Sequence, residues 1–405
     1  MVKVTVERLG HRGDGIAEGP IYVPNALPGE VVEGDLSGDR IVQPRILEPS
    51  EHRVSPPCAH YKSCGGCGLQ HASDDFVATW KREFVEISLS HQDIEISARK
   101  VLTTPPQSRR RAVFHGKRTK KSTIVGLHGR ASDTLFNTPE CRLMTPKIMA
   151  EFDTYHELTR LGASRRGEIT LTVTEVLGGL SIAVTGARDV DLSMREELGR
   201  IAQDSDLVRL DWNGERIAAR GPAVQQFGAA KVETPAGAFL QATSFGEACL
   251  LDAVREAVGD AANIADLFAG CGTFTLPLAE SATVHAVEGE ADMLAALEAG
   301  WRHASNLRTV SVETRDLFRR PLMPDELCKF DAVVLDPPRA GAVAQVDEIT
   351  RSDLSRIAFV SCNPITFARD AKTLIDAGFT LDWVDVIDQF RWSTHVELVA
   401  RFSRN

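Results

Sequence analysis

The sequence predicts a multidomain chain that ends in a doubly wound, Rossmann-like α/β domain. Three observations lead there. Beyond about residue 240 the pattern becomes strict strand–helix alternation, which implies a mostly parallel sheet covered on both faces. The first ~50 residues hold several short strands broken by Gly and Pro, the pattern of a small barrel. The 405 residues, 43% hydrophobic and 25% charged, suffice for two or three domains and exclude a disordered or fibrous chain. The expected division is an OB-like β-barrel at 1–54, a mixed β/α region at 55–230 and the α/β domain at 231–405.

In the first span VKVTVERL alternates, HRGDGIAEG is a Gly-rich turn, and IYVPNALPGEVVEGDL gives two strands split by Pro28-Gly29. SPPCAHYKSCGGCGLQHA follows, a loop crowded with cysteine, glycine and proline. A helix over DDFVATWKREFVEISLSHQ is expected to bury Phe76, Trp80, Phe84 and Ile87 on one face. Between Ser108 and Lys121 stand seven Lys or Arg and no acid. In a chain of net charge −10, this is the local patch expected to meet a polyanion, with Arg110, Arg111, Lys117 and Lys120 as phosphate contacts. EITLTVTEV and GLSIAVTG add further strands.

In the last span, NIADLFAG, ATVHAVEG, VSVETRD, FDAVVLDPPRAG and RIAFVSCNP read as strands separated by helices. LDWVDVIDQF and HVELVARF are too close for a helical crossover, so that edge is expected to be antiparallel. No apolar run is long enough to span a bilayer, and MVKVTVERLGHRGDG lacks a secretory core. A cytoplasmic protein without a membrane partner is expected.

The motifs fall at strand ends. ADLFAGCGTF is a strand–turn–helix junction whose Gly270 and Gly272 let a ligand approach the backbone. Glu288 follows Asp266 by 22 residues, at the end of the next strand, where a carboxylate accepts from both ribose hydroxyls. The third glycine of a dinucleotide fingerprint is missing, because Phe274 and Thr275 stand there. That points to S-adenosylmethionine instead. Asp336 of LDPPRAG lies at the same edge, and Arg339 occupies the position where amine methyltransferases carry a base-stacking aromatic residue. Cys362 of FVSCNP ends the following strand before a helix and is expected to be partly thiolate. Glu397 sits among Val396, Leu398 and Val399, where an unpaired carboxylate is costly. If its strand returns antiparallel, it shares an edge with Cys362, as base with nucleophile.

Eight cysteines in a chain with no export signal are not a disulfide framework. Cys58, Cys64 and Cys67 have the spacing C-x5-C-x2-C, with 73 residues before Cys141. Four thiolates there hold either zinc or an iron–sulfur cluster, and spacing alone does not choose.

With DLFAGCGTFTLPLA, LDPPRAG, VSCNP and HVELVARF in that order, most of the chain resembles the uracil-5 RNA methyltransferases. GHRGDGIAEG and PNALPGE resemble a TRAM domain, an RNA-binding barrel. The resemblance is nearest to the branch that makes 5-methyluridine in 23S ribosomal RNA with a TRAM domain and a 4Fe–4S cluster. It implies Cys362 as nucleophile and Glu397 as general base. It further implies Gln241, Phe268, Thr273, Glu288, Asp316 and Asp336 as S-adenosylmethionine contacts, and Cys58, Cys64, Cys67 and Cys141 as cluster ligands. RNA as partner and a monomeric enzyme are also implied. Two positions depart from the pattern. Thr273 replaces a frequent asparagine, and Gln389-Phe390-Arg391-Trp392 replaces an MFPHT-like stretch. The alternatives are methylation of a transfer-RNA uridine and an iron–sulfur RNA-binding protein without catalysis. The presence of both Cys362 and Glu397 speaks against the second.

Overall fold

The computed structural model describes residues 1–404. Its first five strands are β1 (Val2–Leu9), β2 (Gly15–Ala17), β3 (Ile21–Val23), β4 (Val31–Ser37) and β5 (Arg40–Glu48). They close into a barrel in the order β1-β2-β3-β5-β4, the architecture expected of an OB-like module. Its core is Val6, Val23, Ala26, Val32 and Ile41. Gly34 permits that closure, since a Cβ there would lie 2.5 Å from Ile41 Cγ2.

Helix α1 (Asp74–Ser90) starts at Ser73, whose side chain caps the Phe76 amide. The predicted stripe of Phe76, Trp80 and Phe84 does face the barrel, packed with Leu9, Leu27 and Leu69. Ile87 does not join it and is 51% exposed. The inner face instead carries Val77, Lys81, Val85 and Leu89, because α1 has two neighbours. Val85 and Leu89 enter the core of the last domain, so the helix bolts the barrel to that domain.

After β6 (Val101–Thr103), a central sheet is built from β7 (Arg111–Arg118), β8 (Thr123–His128), β9 (Leu135–Asn137), β10 (Glu168–Val176), β11 (Gly179–Thr185), β12 (Arg209–Trp212) and β13 (Glu215–Ala219), in the order β13-β12-β11-β10-β7-β8-β9. Helices α2 (Pro146–Ala150), α3 (Phe152–Gly162) and α4 (Leu192–Asp204) cover one face over Phe114, Tyr155, Leu171 and Trp212. The hairpin β14 (Val224–Phe227) and β15 (Ala230–Glu233) leads to α5 (Ser244–Val258).

The last domain alternates as expected: β16 (Asn263–Leu267), α6 (Thr275–Leu278), β17 (Thr283–Glu288), α7 (Ala291–His303), β18 (Val310–Thr314), α8 (Pro324–Leu327), β19 (Ala332–Leu335), α9 (Val343–Thr350), β20 (Arg356–Ser361), α10 (Pro364–Asp376), β21 (Thr380–Asp388) and β22 (Leu398–Ser403). Its eight strands run β18-β17-β16-β19-β20-β22-β21-β6. β22 is antiparallel to both β20 and β21, as the short connection requires. The eighth strand, β6, lies inside the span assigned above to the central region. It pairs parallel to β21 at Val386–Val101, Ile387–Leu102 and Asp388–Thr103. α1 packs on α10, β21 and β6, so residues 74–103 belong with the last sheet. No described helix is long and apolar enough to cross a membrane.

Candidate active site

Every strand of the parallel set ends on one edge, and the predicted residues gather there because of it. β16 breaks into a turn in which Phe268, Gly270 and Gly272 have φ of 66°, 56° and 93°. At Gly272 a side chain is excluded twice, by that φ and by Leu297 Cγ, 2.8 Å from where its Cβ would stand. Phe268 holds a left-handed backbone that a non-glycine residue rarely adopts. The turn's Gly270 amide donates to Glu288 at the end of β17, 3.0 Å away, and the same carboxylate accepts from Gly289 and Glu290. Asp316, beyond β18, accepts from the Phe318 amide at 3.0 Å. The Phe318 ring then lies 5.5 Å from that of Phe268. Thr273 is half-buried on the same turn. The glycine turn, the Glu288 carboxylate and the paired rings of Phe268 and Phe318 thus line one stretch of edge.

Asp336 follows β19, and Gln241 reaches it from the segment before α5, Nε2 donating to Oδ2 at 3.3 Å. Cys362 follows β20. The register pairs Ser361 with Leu398, so Cys362 and Glu397 are each one residue beyond that pair and face a common space. Glu397 is 3% exposed.

Burial dominates the electrostatics of this edge. Asp266, at 0% exposure, is pushed up to about 7 by burial. Its only side-chain donor is Thr275. Asp336 is pushed up to about 7 by burial and by Asp266 and Glu288. Glu397 rises to about 8 through burial and the nearby Asp336, opposed by the Gln389 amide. Such a concentration of carboxyls suits a cationic ligand, whose charge would let them ionise.

The thiol departs from expectation. Burial, then the charges of Glu397 and Asp336, push Cys362 up to about 11, against a smaller pull from Arg339. The helix N-terminus gives little help because it is already capped, with Asn363 accepting from the Ile365 amide at 3.2 Å and Pro364 in the first turn.

Two groups near the site had no assigned role in the sequence. Gln389, noted there only as a departure, donates from Nε2 both to Glu397 and, at 2.6 Å, to Gln241 Oε1. Glu397, Gln389, Gln241 and Asp336 therefore form one buried chain of side chains. Beside it, Lys81 is fully buried and pairs with Asp388 at 2.5 Å. A charged residue ending the apolar strand VDVID was the only visible hint of this pair.

The basic stretch needs correction. Arg110 is 8% exposed; it pairs with Glu247 and donates to the Gln241 carbonyl. Arg111 donates to the carbonyls of Ala238 and Gly237. Both tie the central sheet to the segment before α5, and neither is free for phosphate. Lys117, Arg118, Lys120 and Lys121 remain exposed on the β7–β8 hairpin.

Cys58, Cys64, Cys67 and Cys141 line one pocket, closed by Tyr61, Leu127 and Leu143. No three of these sulfurs lie within 4.8 Å of one another among the described residues. Burial pushes the Cys64, Cys67 and Cys141 thiols up, Cys67 to about 12. The pocket is joined to the segment that leads to Glu397: the Gly68 and Leu69 amides donate to the Trp392 carbonyl at 2.8 and 2.9 Å.

A parallel sheet with an antiparallel strand slotted into it, a glycine turn and a carboxylate edge defines an S-adenosylmethionine-dependent methyltransferase. Residues 230–404 match the family model described as tRNA (uracil-5-)-methyltransferase. An RNA methyltransferase of Brucella suis is 41% identical over 98% of this chain and 97% of its own length. A Vibrio campbellii 23S rRNA (uracil(1939)-C(5))-methyltransferase, RlmD, is 31% identical over 99% of this chain and 96% of its own. The crystal structure of a Pyrococcus abyssi tRNA (uracil-54, C5)-methyltransferase with S-adenosyl-L-homocysteine superposes with a TM-score of 0.77. It covers 99% of this chain and 100% of that one at 20% identity. The chain belongs to the S-adenosylmethionine-dependent RNA uracil-5 methyltransferase family.

Proposed function

We propose that the enzyme methylates carbon 5 of a uridine in 23S ribosomal RNA through a covalent bond between Cys362 and carbon 6 of the base. The observation that carries the chemistry is the Ser361–Leu398 register, which sets one thiol and one buried carboxylate side by side at the cofactor edge. Carbon 5 of uracil is too weak a nucleophile to attack a sulfonium methyl unaided. The Cys362 thiolate adds to carbon 6, and the enolate so formed would take the methyl group of S-adenosylmethionine at carbon 5 as the methyl–sulfur bond breaks, leaving S-adenosylhomocysteine. Glu397 then removes the proton left on carbon 5, the double bond reforms, and the carbon 6–sulfur bond breaks to return the thiolate. Asp336, Glu288, Gln241, Phe268, Thr273 and Asp316 hold the cofactor. When bound, a cofactor carrying positive charge would lessen the opposition that Glu397 and Asp336 add to burial in keeping Cys362 protonated.

The choice of ribosomal RNA is supported by the whole-length likeness to the Vibrio protein. The barrel does not discriminate, because the Pyrococcus protein, named for tRNA, matches over its full length as well. The reading includes a monomeric, cytoplasmic enzyme, since bacterial ribosomal RNA is made in the cytoplasm. Incubation with unmodified 23S rRNA and unmodified tRNA, followed by mapping of 5-methyluridine, tests it. Methylation confined to tRNA overturns the substrate assignment and leaves the chemistry standing.

We read the four-cysteine pocket as the seat of a 4Fe–4S cluster. Four thiolates on one zinc stand about 3.8 Å apart at a bond length of about 2.3 Å, closer than this pocket brings any three. A cluster spreads its ligands over four irons. Cys58, Cys64, Cys67 and Cys141 would hold it, and it would staple the loop at 58–67 to the central sheet.

A further inference from the structure

On the face of the central sheet opposite its helices, three ligand-type side chains that line neither the cysteine pocket nor the Cys362–Glu397 edge converge. His115 on β7 faces Gly126 on β8 and Thr170 on β10. Two residues further along β8 is His128, and two residues back along β10 is Glu168. The two-residue period of a strand puts all three on one face. That face is opposite Ala112, Phe114, Ile169 and Leu171, which are buried in the core of this domain. Gly126 brings no side chain between the imidazoles, whose centroids approach to 4.4 Å. Glu168 Oε1 lies 3.0 Å from His115 Nδ1 and 2.9 Å from His128 Nε2. One ligand atom from each residue falls within 4.8 Å of the other two, the sole such trio among the described residues.

We propose that His115, His128 and Glu168 form a binding site for a first-row divalent cation of the zinc type. Two neutral imidazoles and a carboxylate are an established zinc ligand set, with a fourth position left for water. At bond lengths of about 2.0–2.1 Å, tetrahedral ligand atoms stand roughly 3.3 Å apart. The nitrogen–oxygen distances here need to open by only a few tenths of an ångström. The three side chains are about one-third exposed, so an ion reaches them without unfolding. The site also has a mechanical consequence. The His128 carbonyl accepts from the Gly65 amide at 2.8 Å, so a cation that locks β7, β8 and β10 together also firms the strand on which the cysteine loop rests.

Without a cation, the same trio is a carboxylate shared by two imidazole N–H groups, and the experiment must separate these states. Co(II) is the probe, titrated into the full-length protein. The cysteine pocket announces itself by thiolate-to-cobalt charge transfer in the near ultraviolet, whereas the proposed site shows only the weaker visible ligand-field bands of nitrogen and oxygen ligation. The expected result is one equivalent of cobalt without charge transfer, absent in His115→Ala/His128→Ala and bound at least tenfold more weakly by Glu168→Gln. Circular dichroism confirms that both variants are folded. The proposal is overturned if wild-type protein binds cobalt solely with charge transfer, if it binds none, or if the double variant keeps the ligand-field bands.

Discussion

The side-chain amide of Gln389 donates to the carboxylate of Glu397, and through that bond the proposed base is held in line with Gln241 and Asp336. Glu397 is therefore not an isolated buried acid. Its position and proton affinity depend on a residue that also touches a proposed cofactor ligand.

The two proposed catalytic residues predict opposite failures. Cys362→Ala should abolish methyl transfer yet bind S-adenosylmethionine nearly normally, and it should form no adduct with 5-fluorouridine RNA. Glu397→Gln should form the adduct and be unable to resolve it, because the amide cannot take the carbon-5 proton. Denaturing gels with target RNA read both. An adduct on the Cys362 variant would identify another nucleophile.

The raised pKa of Glu397 fixes two pH dependences. A base that ionises near 8 makes kcat/KM climb from about pH 6 to pH 9. Gln389→Leu removes the donor that favours the carboxylate, so the rise should move to higher pH. For stability the sign is reversed. The folded state keeps a proton that the unfolded chain, with its usual value of 4.5, has already lost, so this group's contribution falls as pH rises from 4.5 to about 8. Glu397→Gln should therefore gain thermal stability over wild type at pH 8 and little at pH 5. An equal gain at both would separate the effect from ionisation.

Burial lowers the proton affinity of Lys81, and the Asp388 carboxylate restores part of it. Lys81→Met strands a buried carboxylate and should cost ~3–5 kcal/mol in denaturant unfolding. Adding Asp388→Asn should recover much of that loss. No recovery would mean that the lysine stem, and not its charge, is what the site needs.

Arginines and lysines of the basic stretch should behave as two classes. Arg110→Ala leaves Glu247 half-buried and without its partner, so it should lower stability by roughly 2–3 kcal/mol. Neutralising Lys117, Lys120 and Lys121 should leave stability alone and flatten the salt dependence of RNA binding by ~0.7 in log–log slope per lost single-strand contact. An unchanged slope would move the RNA path away from the β7–β8 hairpin.

Anaerobically purified protein should be brown with about four irons per chain, and Cys141→Ser should lose most of them. Colourless protein holding one tight zinc on the cysteines would refute the cluster.

The convergence of Asp336, Cys362 and Glu397 on one sheet edge was legible because each sits at a strand boundary in the sequence, and parallel strands of an open α/β sheet end on one side. What escaped depends on contacts that no local pattern encodes. Lys81 meets a partner 307 positions away. Gln389 gains its role only when three chain segments meet. The run Arg109–Arg111 reads as charge, yet sequence does not say which side chains turn inward; alternation along β7 and the proximity of Glu247 decide that. Cys362 misled for a related reason. Proximity to a helix start argued for a thiolate, while burial, and then the carboxylates that arrive beside β19 and β22, outweigh it.

β6 alters how the enzyme can be made. Residues 230–404 match the family model, but they hold only seven of the eight strands of their sheet, the eighth being residues 101–103. A fragment starting at 231 would leave β21 with a bare, apolar pairing edge and Asp388 without its cation, an invitation to aggregation. During synthesis, β6 must wait for its partner β21, whose Val386 follows Val101 by 285 positions. β22 pairs with both β20 and β21 and follows them in the chain, so its insertion between them cannot precede their synthesis.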